Sequence, residues 1–399
     1  MVIKTLERVY KNYYYIIRGE KHMEPLCVVN KKSARKIKGI RLAQKNARKY
    51  YQEKLFSRAS NVPRMKLRKF VDLNQTGYKN LSGMELPVKP AAFKGTKEEL
   101  VEIIKKAELT GRSGNGFLVW RKLKAMKKGG TLIINAVECD PGLVTDSWIY
   151  KNRLTQVQYG AEMIKRALGM KKVILATKEP LRPAEGIEQV KVPDRFPMGY
   201  EKYLIKYLLG ISLKEGELPQ ERGILVMNLQ TVLAVYEILS NPEMEKCRYI
   251  TVSDLNRAEA VAACVLIGED VKKIAEKCFS KAEETEERRL YTGQGAFNSH
   301  ELVPGERITG SVGYIALGQA LDYQEAGMCR KCGACTKNCP AGVKVAQLVQ
   351  MVEKNEIKNV KECKQFRPMD CIGCGTCTYG CMAGKDVRKV VLWAKKELS

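Results

Sequence analysis

Three observations predict the fold class. Strand and helix patterns alternate between residues 96 and 240, a strand–strand–helix pattern covers 248–278, and two like cysteine quartets stand in the last fifth of the chain. They predict an α/β protein with a Rossmann-like parallel-sheet domain over 85–245 and a small β-grasp module over 246–300. A mostly helical domain of the dicluster ferredoxin type is expected over 320–399, and a basic N-terminal region over 1–80. With 399 residues, 45% of them apolar, the chain is long enough to bury more than one core.

The basic region comes first. Residues 1 to 70 hold about 20 Lys or Arg against about 4 acidic residues, which supplies much of the net charge of +26. Tyr10, Tyr13, Tyr14, Tyr15, Tyr50 and Tyr51 interleave with these cations. A solvated basic face, a dock for an acidic partner protein, and a lipid or nucleic-acid surface all fit this composition. No specific nucleic-acid module is recognisable in it.

Thr96-Lys97-Glu98-Glu99 has the pattern of a capping box and opens a helix with Leu100, Ile103, Ile104 and Ala107 on its apolar face. The glycine-rich turn Gly111-Arg112-Ser113-Gly114-Asn115-Gly116 follows, with Lys122 just beyond. Amides freed by glycine, with cations beside them, suit a phosphate; a plain turn would have the same composition. Thr131 to Asn135 reads as a buried strand running into the acidic turn Glu138-Cys139-Asp140-Pro141-Gly142. Open α/β sheets place ligands at such strand ends. Cys139 is read as a small buried residue in preference to a redox group.

Leu154 to Leu168 is an amphipathic helix stopped by Gly169, Lys172 to Ala176 a strand and Glu201 to Leu209 a helix. Gly223 to Met227 is a strand that runs through Asn228 and Thr231 into another helix. Arg248 to Ser253, Val261 to Ile267 and Val271 to Cys278 complete the ββα pattern, and Glu283 to Arg289 is a charged linker.

Fourteen cysteines could form disulfides, but nine of them crowd the end of the chain. Cys329, Cys332, Cys335 and Cys339 read C-x2-C-x2-C-x3-C-P, and Cys371, Cys374, Cys377 and Cys381 repeat the pattern 42 residues on. This is the spacing of bacterial-type ferredoxins, in which the fourth cysteine of each motif ligates the other cluster. The first [4Fe-4S] cluster is therefore assigned to Cys329, Cys332, Cys335 and Cys381, and the second to Cys371, Cys374, Cys377 and Cys339. Met382 stands where Pro340 follows the first quartet. A helix is expected between the quartets, over Val343 to Val360, and Cys363 is a spare thiol.

Composition narrows the chemistry. Only His22 and His300 are present, so histidine-pair catalysis and imidazole-rich zinc sites are nearly excluded. No apolar run approaches the roughly 18 to 20 residues of a bilayer span, and the N-terminus lacks a secretory pattern. A cytoplasmic protein is expected, peripheral to a membrane at most.

The glycine loop, Asn135-Ala136-Val137-Glu138-Cys139-Asp140-Pro141, Asn228 to Thr231 and the paired quartets occur in an order that resembles the RnfC family of electron-transport subunits. The same order is similar to the flavin-binding subunit of respiratory complex I. Phe196 to Lys202 and Gly313 to Leu317 look like further family segments, and the resemblance spans roughly 90 to 385. It implies FMN contacts at Gly111, Gly114, Gly116, Lys122, Asn135, Glu138, Asn228 and Thr231, with NADH stacked on the flavin. Ser113, Asn115, Leu118 and Val119 depart from the family's Gly, Ala, Pro and Thr, which puts the nicotinamide side of the loop in question.

The resemblance implies an oxidoreductase subunit: an iron–sulfur flavoprotein passing electrons between NADH or another two-electron donor and a ferredoxin, a flavodoxin or a dedicated reductase. Electron-transfer proteins associated with proline reductase and the cobalamin reductase of propanediol utilisation are similar, and a membrane-associated complex is a further expected partner. The alternative is a flavin-free iron–sulfur conduit docked in a larger complex.

Overall fold

The computed structural model describes residues 74–89, 93–113, 116–214, 217–279, 288–319, 328–354, 356–357 and 360–398. The basic N-terminal region lies outside them up to residue 73, and so do the surfaces expected of it. Strand β1 (Asn74–Asn80) opens the described chain. Helix α1 (Lys97–Lys106) starts at the expected capping box: the Glu99 amide donates to Thr96 Oγ1 at 3.3 Å and the Thr96 amide to Glu99 Oε2 at 2.7 Å. Leu100 and Ile104 on its inner face are fully buried. Helix α2 (Val119–Ala125) follows the glycine turn.

A four-stranded, all-parallel sheet forms next, in the order β4-β3-β2-β5. Its strands are β2 (Thr131–Ala136), β3 (Lys172–Thr177), β4 (Glu188–Lys191) and β5 (Ile224–Asn228). Between β2 and β3 lie α3 (Thr145–Asn152) and α4 (Leu154–Leu168), the latter closed by Gly169 in the left-handed conformation. Helix α5 (Glu201–Leu209) precedes β5, and α6 (Leu229–Ser240) leaves it directly. The apolar centres of β2 and β5 are buried on both faces, as helix-covered parallel strands must be.

A second sheet has six strands in the order β1-β7-β6-β10-β8-β9. β6 (Cys247–Asp254) pairs antiparallel with β7 (Glu259–Leu266), and α7 (Val271–Cys278) packs beside them. β8 (Arg288–Gly293), β9 (Ser299–Glu301) and β10 (Tyr314–Gln319) extend the sheet on the other side of β6. β1 pairs parallel with β7, so this sheet draws a strand from the segment before residue 81 and another from beyond residue 300.

The C-terminal unit is helical: α8 (Ala334–Lys337), α9 (Val345–Glu353), α10 (Thr376–Tyr379) and α11 (Val387–Leu398) enclose a core of Val343, Leu348, Val390 and Val391. α9 ends at Glu353, well before Val360, which instead opens a 3-10 turn running to Phe366. The unit docks on the rest of the chain. Tyr203 on α5 donates to the Pro340 carbonyl at 2.9 Å, and Phe297 meets Tyr379 edge to face at 4.9 Å.

Candidate redox site: a cleft and two cysteine groups

The carboxyl ends of β2 and β5 open into a cleft of about 330 Å³, within the range of cofactor pockets. The glycine turn forms one wall through Gly111, Arg112 and Ser113, and the acidic turn another through Glu138, Cys139 and Asp140. Gly199 and Tyr200 come from the segment before α5, and Gln294, Asn298 and Gly313 from the six-stranded sheet and its loops. Ile372 and Gly373, between the second quartet's first two cysteines, complete the lining.

Of the eight residues expected at a flavin, Gly111, Lys122, Asn135, Glu138, Asn228 and Thr231 line this cleft. Gly116 turns the loop back at φ +66° and is not among the lining residues; Gly114 lies outside the described residues. Several of the lining side chains also have work inside the chain. Lys122 Nζ bonds Glu201 Oε1 at 2.9 Å and the Val226 carbonyl at 3.2 Å. Asn135 Nδ2 donates to the Gly199 carbonyl at 2.6 Å, and its Oδ1 accepts from the Val137 amide at 3.0 Å.

Glu138 accepts from the amides of Asp146 and Ser147 at 2.9 and 3.2 Å, so it caps the start of α3. Asn228 caps α6 by accepting from the Gln230 amide at 2.9 Å, while its Nδ2 donates to Asp146 Oδ2 at 2.6 Å. Thr231 Oγ1 accepts from the Arg112 amide at 2.9 Å and so ties the glycine turn to α6.

The charges of the cleft were less visible in the sequence. Glu138, Asp140 and Asp146 form an acidic group in which burial raises every carboxyl, Asp140 to about 6, and the Glu138 charge adds to the shift of both aspartates. Asp140 Oδ1 is buried with no hydrogen-bond partner among the described residues. Cys139 stands beside Gly199, and burial, then Asp140, pushes its thiol up to about 12. Elsewhere Arg112 and Arg248 bring two buried guanidiniums to the lining. Arg248 enters from β6, a strand with no sequence link to the glycine or acidic turns, and no motif could have marked it.

The cysteines fall into two groups. Cys339, Cys371, Cys374 and Cys377 line one small cavity with Val343, Val345, Arg388 and Val391. Burial pushes the Cys335 thiol up to about 11, and Cys381 and Cys329 are near enough to add to the shift. The fourth cysteine of each motif thus stands with cysteines of the other. Four cysteines lining one cavity are the donor type of an iron–sulfur cubane, although among the described residues no three Cys, His, Asp or Glu side chains already converge closely enough to hold a metal ion. The Gly373 amide points at Cys371 Sγ at 3.4 Å, and Cys374 Sγ meets Thr376 Oγ1 at 3.1 Å, polar contacts of the kind that tune bound sulfur. Cys363 is fully buried in the core of this unit.

The cleft and the second cysteine group share a wall at Ile372. Tyr200 lines the cleft close to that wall: burial raises its hydroxyl strongly, and nearby Asp140 and Cys374 add to the shift. Phe196 stacks edge-on with both Tyr200 and Phe297, at 5.7 and 5.5 Å, continuing the aromatic contact toward Tyr379.

Known proteins share this arrangement. Residues 104–237 match the family model of the Nuo51 FMN-binding domain, and residues 328–385 match a 4Fe-4S dicluster domain. The C subunit of the ion-translocating oxidoreductase complex of Rhodobacter capsulatus is 30% identical over 281 residues, 65% of this chain and 53% of that protein. Its counterpart in the proton-translocating ferredoxin:NAD(+) oxidoreductase complex of Clostridium ljungdahlii is 28% identical over 282 residues, 66% of this chain and 61% of its own. The chain therefore spans about half the length of the curated relatives it matches. In fold, an NAD+-reducing [NiFe]-hydrogenase structure superposes with a TM-score of 0.54 at 14% identity, over 90% of this chain and 72% of that one. An FMN-binding domain whose cleft abuts a dicluster domain, together with these relatives from ion- and proton-translocating oxidoreductase complexes, makes this chain an RnfC-like protein.

Proposed function

We propose that the protein takes electrons in pairs from NADH or another two-electron donor at the cleft and passes them singly through two [4Fe-4S] clusters to a partner protein. One observation carries the reading: Ile372 and Gly373, flanked by Cys371 and Cys374, form part of the cleft wall. Electron tunnelling needs short edge-to-edge distances, and a shared wall sets the two sites against each other. Bound FMN would supply the conversion between two-electron and one-electron steps.

The chain's own residues do the positioning. Asn135, Glu138 and Asn228 hold the strand ends and helix starts that shape the cleft, and Arg112, Lys122, Thr231 and Arg248 supply its donors. The cysteine groups support an order of transfer. The cluster of Cys339, Cys371, Cys374 and Cys377 would stand next to the cleft, and that of Cys329, Cys332, Cys335 and Cys381 farther along. Cys332 is exposed, and Lys331 beside it is an exposed cation, a suitable exit toward an acidic carrier such as a ferredoxin or flavodoxin. No helix among the described residues is long and apolar enough to cross a membrane. Attachment to a membrane complex, on its cytoplasmic face, would run through partner subunits.

A flavin-free conduit is the second reading, and the internal bonds of Lys122, Asn135, Glu138 and Asn228 favour it. Against it, the cleft keeps buried donors and acceptors with no partner among the described residues. Anaerobic purification with iron, sulfide and flavin quantification, followed by spectra before and after NADH, separates the two. About eight irons with one FMN that bleaches under NADH is the expected result. Eight irons without flavin would leave the conduit.

A further inference from the structure

Arg112 and Arg248 are 5% and 1% exposed and both line the cleft. Both donate to backbone carbonyls: Arg112 Nη2 to Cys247 O at 2.9 Å, and Arg248 to the carbonyls of Thr309, Gly310 and Arg112. No carboxylate forms an ion pair with either among the described residues. The Nε donors of both are buried with no hydrogen-bond partner among the described residues. Burial lowers Arg112 to about 10 despite the more distant Glu237, and burial and the neighbouring Arg112 lower Arg248 well below its usual range.

Two like charges buried side by side, with donors left over, are costly unless an anion joins them. Carbonyl dipoles relieve part of that cost and cannot neutralise a cation. The rest of the setting suits an anion too. α6, twelve residues long, starts at the cleft, and the Thr231 hydroxyl in its first turn sits against the Arg112 amide. Gly313 lies beside Arg248, where a β-carbon would stand 3.4 Å from Nη2.

We infer that Arg112 and Arg248 form a phosphate anchor, a site built for the terminal phosphate monoester of a flavin mononucleotide. A monoester carries close to two negative charges and three acceptor oxygens, which matches two guanidiniums and a hydroxyl. Lys122, the cation that follows the glycine turn, is the poorer candidate: it is 19% exposed and already holds Glu201 at 2.9 Å. The pyrophosphate of a nicotinamide nucleotide has the same chemistry, but a reversibly bound donor does not call for fully buried cations. The inference rests on the flavin reading of the cleft and names the residues that select FMN over riboflavin.

The test uses the full chain, stripped of flavin and titrated with FMN and with riboflavin by fluorescence. Wild-type protein is expected to prefer FMN by at least about tenfold. Arg248→Gln is expected to weaken FMN about tenfold to a hundredfold and leave riboflavin unchanged, with Arg248→Lys recovering part of the loss. Inorganic phosphate should compete with FMN and not with riboflavin on wild-type protein, which keeps the test open if Arg248→Gln does not fold. Equal losses for both flavins, or a loss of NADH binding with FMN unaffected, would overturn the anchor. Wild-type protein that binds both flavins equally overturns the anchor alone; wild-type protein that binds neither overturns the flavin reading as well.

Discussion

Gly375 lies directly under the backbone carbonyl of Phe297, so close that a β-carbon at 375 would collide with it and would also meet Asn298 Oδ1 at 2.7 Å. This contact seats the second cysteine quartet on the loop between β8 and β9. Gly333 holds the equivalent place in the first quartet, at φ +71° against +83° for Gly375, but among the described residues nothing stands within 4 Å of its missing side chain. Gly333→Ala should therefore cost only the left-handed strain, about 1–2 kcal/mol. Gly375→Ala carries that strain and the collision, so it should also loosen the docking of the dicluster unit. Thermal melts and rapid-mixing records of cluster bleaching check this: Gly375→Ala should slow cluster reduction by the donor far more than Gly333→Ala, and equal effects would refute the docking role.

The crossed cysteine grouping has its own signature. Cys381 neighbours Cys335, and Cys339 shares the cavity of Cys371, Cys374 and Cys377. Cys381→Ser should thus damage the cluster of the first motif, although the residue belongs to the second. Cys339→Ser should damage the one next to the cleft and block its reduction by the donor. Iron content should fall from about eight toward four in each variant, with different electron paramagnetic resonance signals lost. Loss of the same signal in both variants would break the assignment.

Much of this was legible beforehand because the signals are local. Ligand spacing around a cubane is fixed by bond lengths, so Cys329 to Cys339 and Cys371 to Cys381 declare themselves. Thr96 and Glu99 do so through cap geometry, and the buried runs at Leu132 and Leu225 through the demands of a parallel sheet. What could not be read is contact across long separations. Arg248 reaches the cleft from a strand that pairs with residues after 313, and β1 joins β7 some 180 residues away, pairings that leave no mark in either segment alone. The extent of α9 was misjudged for another reason: apolar Val352 and Val360 fit a helical period, yet the helix is capped at Lys354.

The acidic group of the cleft predicts an unusual pH dependence in flavin-free protein. Burial raises Asp140 from an ordinary carboxylate value to about 6 in the folded state. Between its unfolded pKa near 4 and 6 the native state binds more protons than the unfolded one, so stability falls as pH rises through that window and stays reduced above it. Asp140→Asn removes the titrating charge at that position. The variant should be more stable than wild type by about 3 kcal/mol above pH 6, with the difference fading toward pH 4. Urea melts at several pH values measure it, and a difference independent of pH would exclude Asp140 as the cause.

Arg153 and Glu237 form the most buried ion pair among the described residues, with Nη2 and Oε1 3.3 Å apart and side chains 8% and 4% exposed. Tyr249 donates to the same Glu237 oxygen at 2.6 Å, Arg153 Nη1 bonds the Tyr249 hydroxyl at 3.1 Å, and its Nη2 also reaches the Pro87 carbonyl at 2.7 Å. Arg153 stands at the start of α4, Glu237 on α6 and Tyr249 on β6, so the network fastens the parallel-sheet unit to the six-stranded sheet. Burial lifts Glu237 to about 7 even though Tyr249 and Arg153 pull it down. Removing one charge strands the other: Glu237→Leu should cost about 3–5 kcal/mol. The double variant Glu237→Leu with Arg153→Met leaves neither charge behind and should cost less than Glu237→Leu alone. If the double variant instead loses the full sum of the two single losses, measured by denaturant melts, the two side chains act separately and the fastening lies elsewhere.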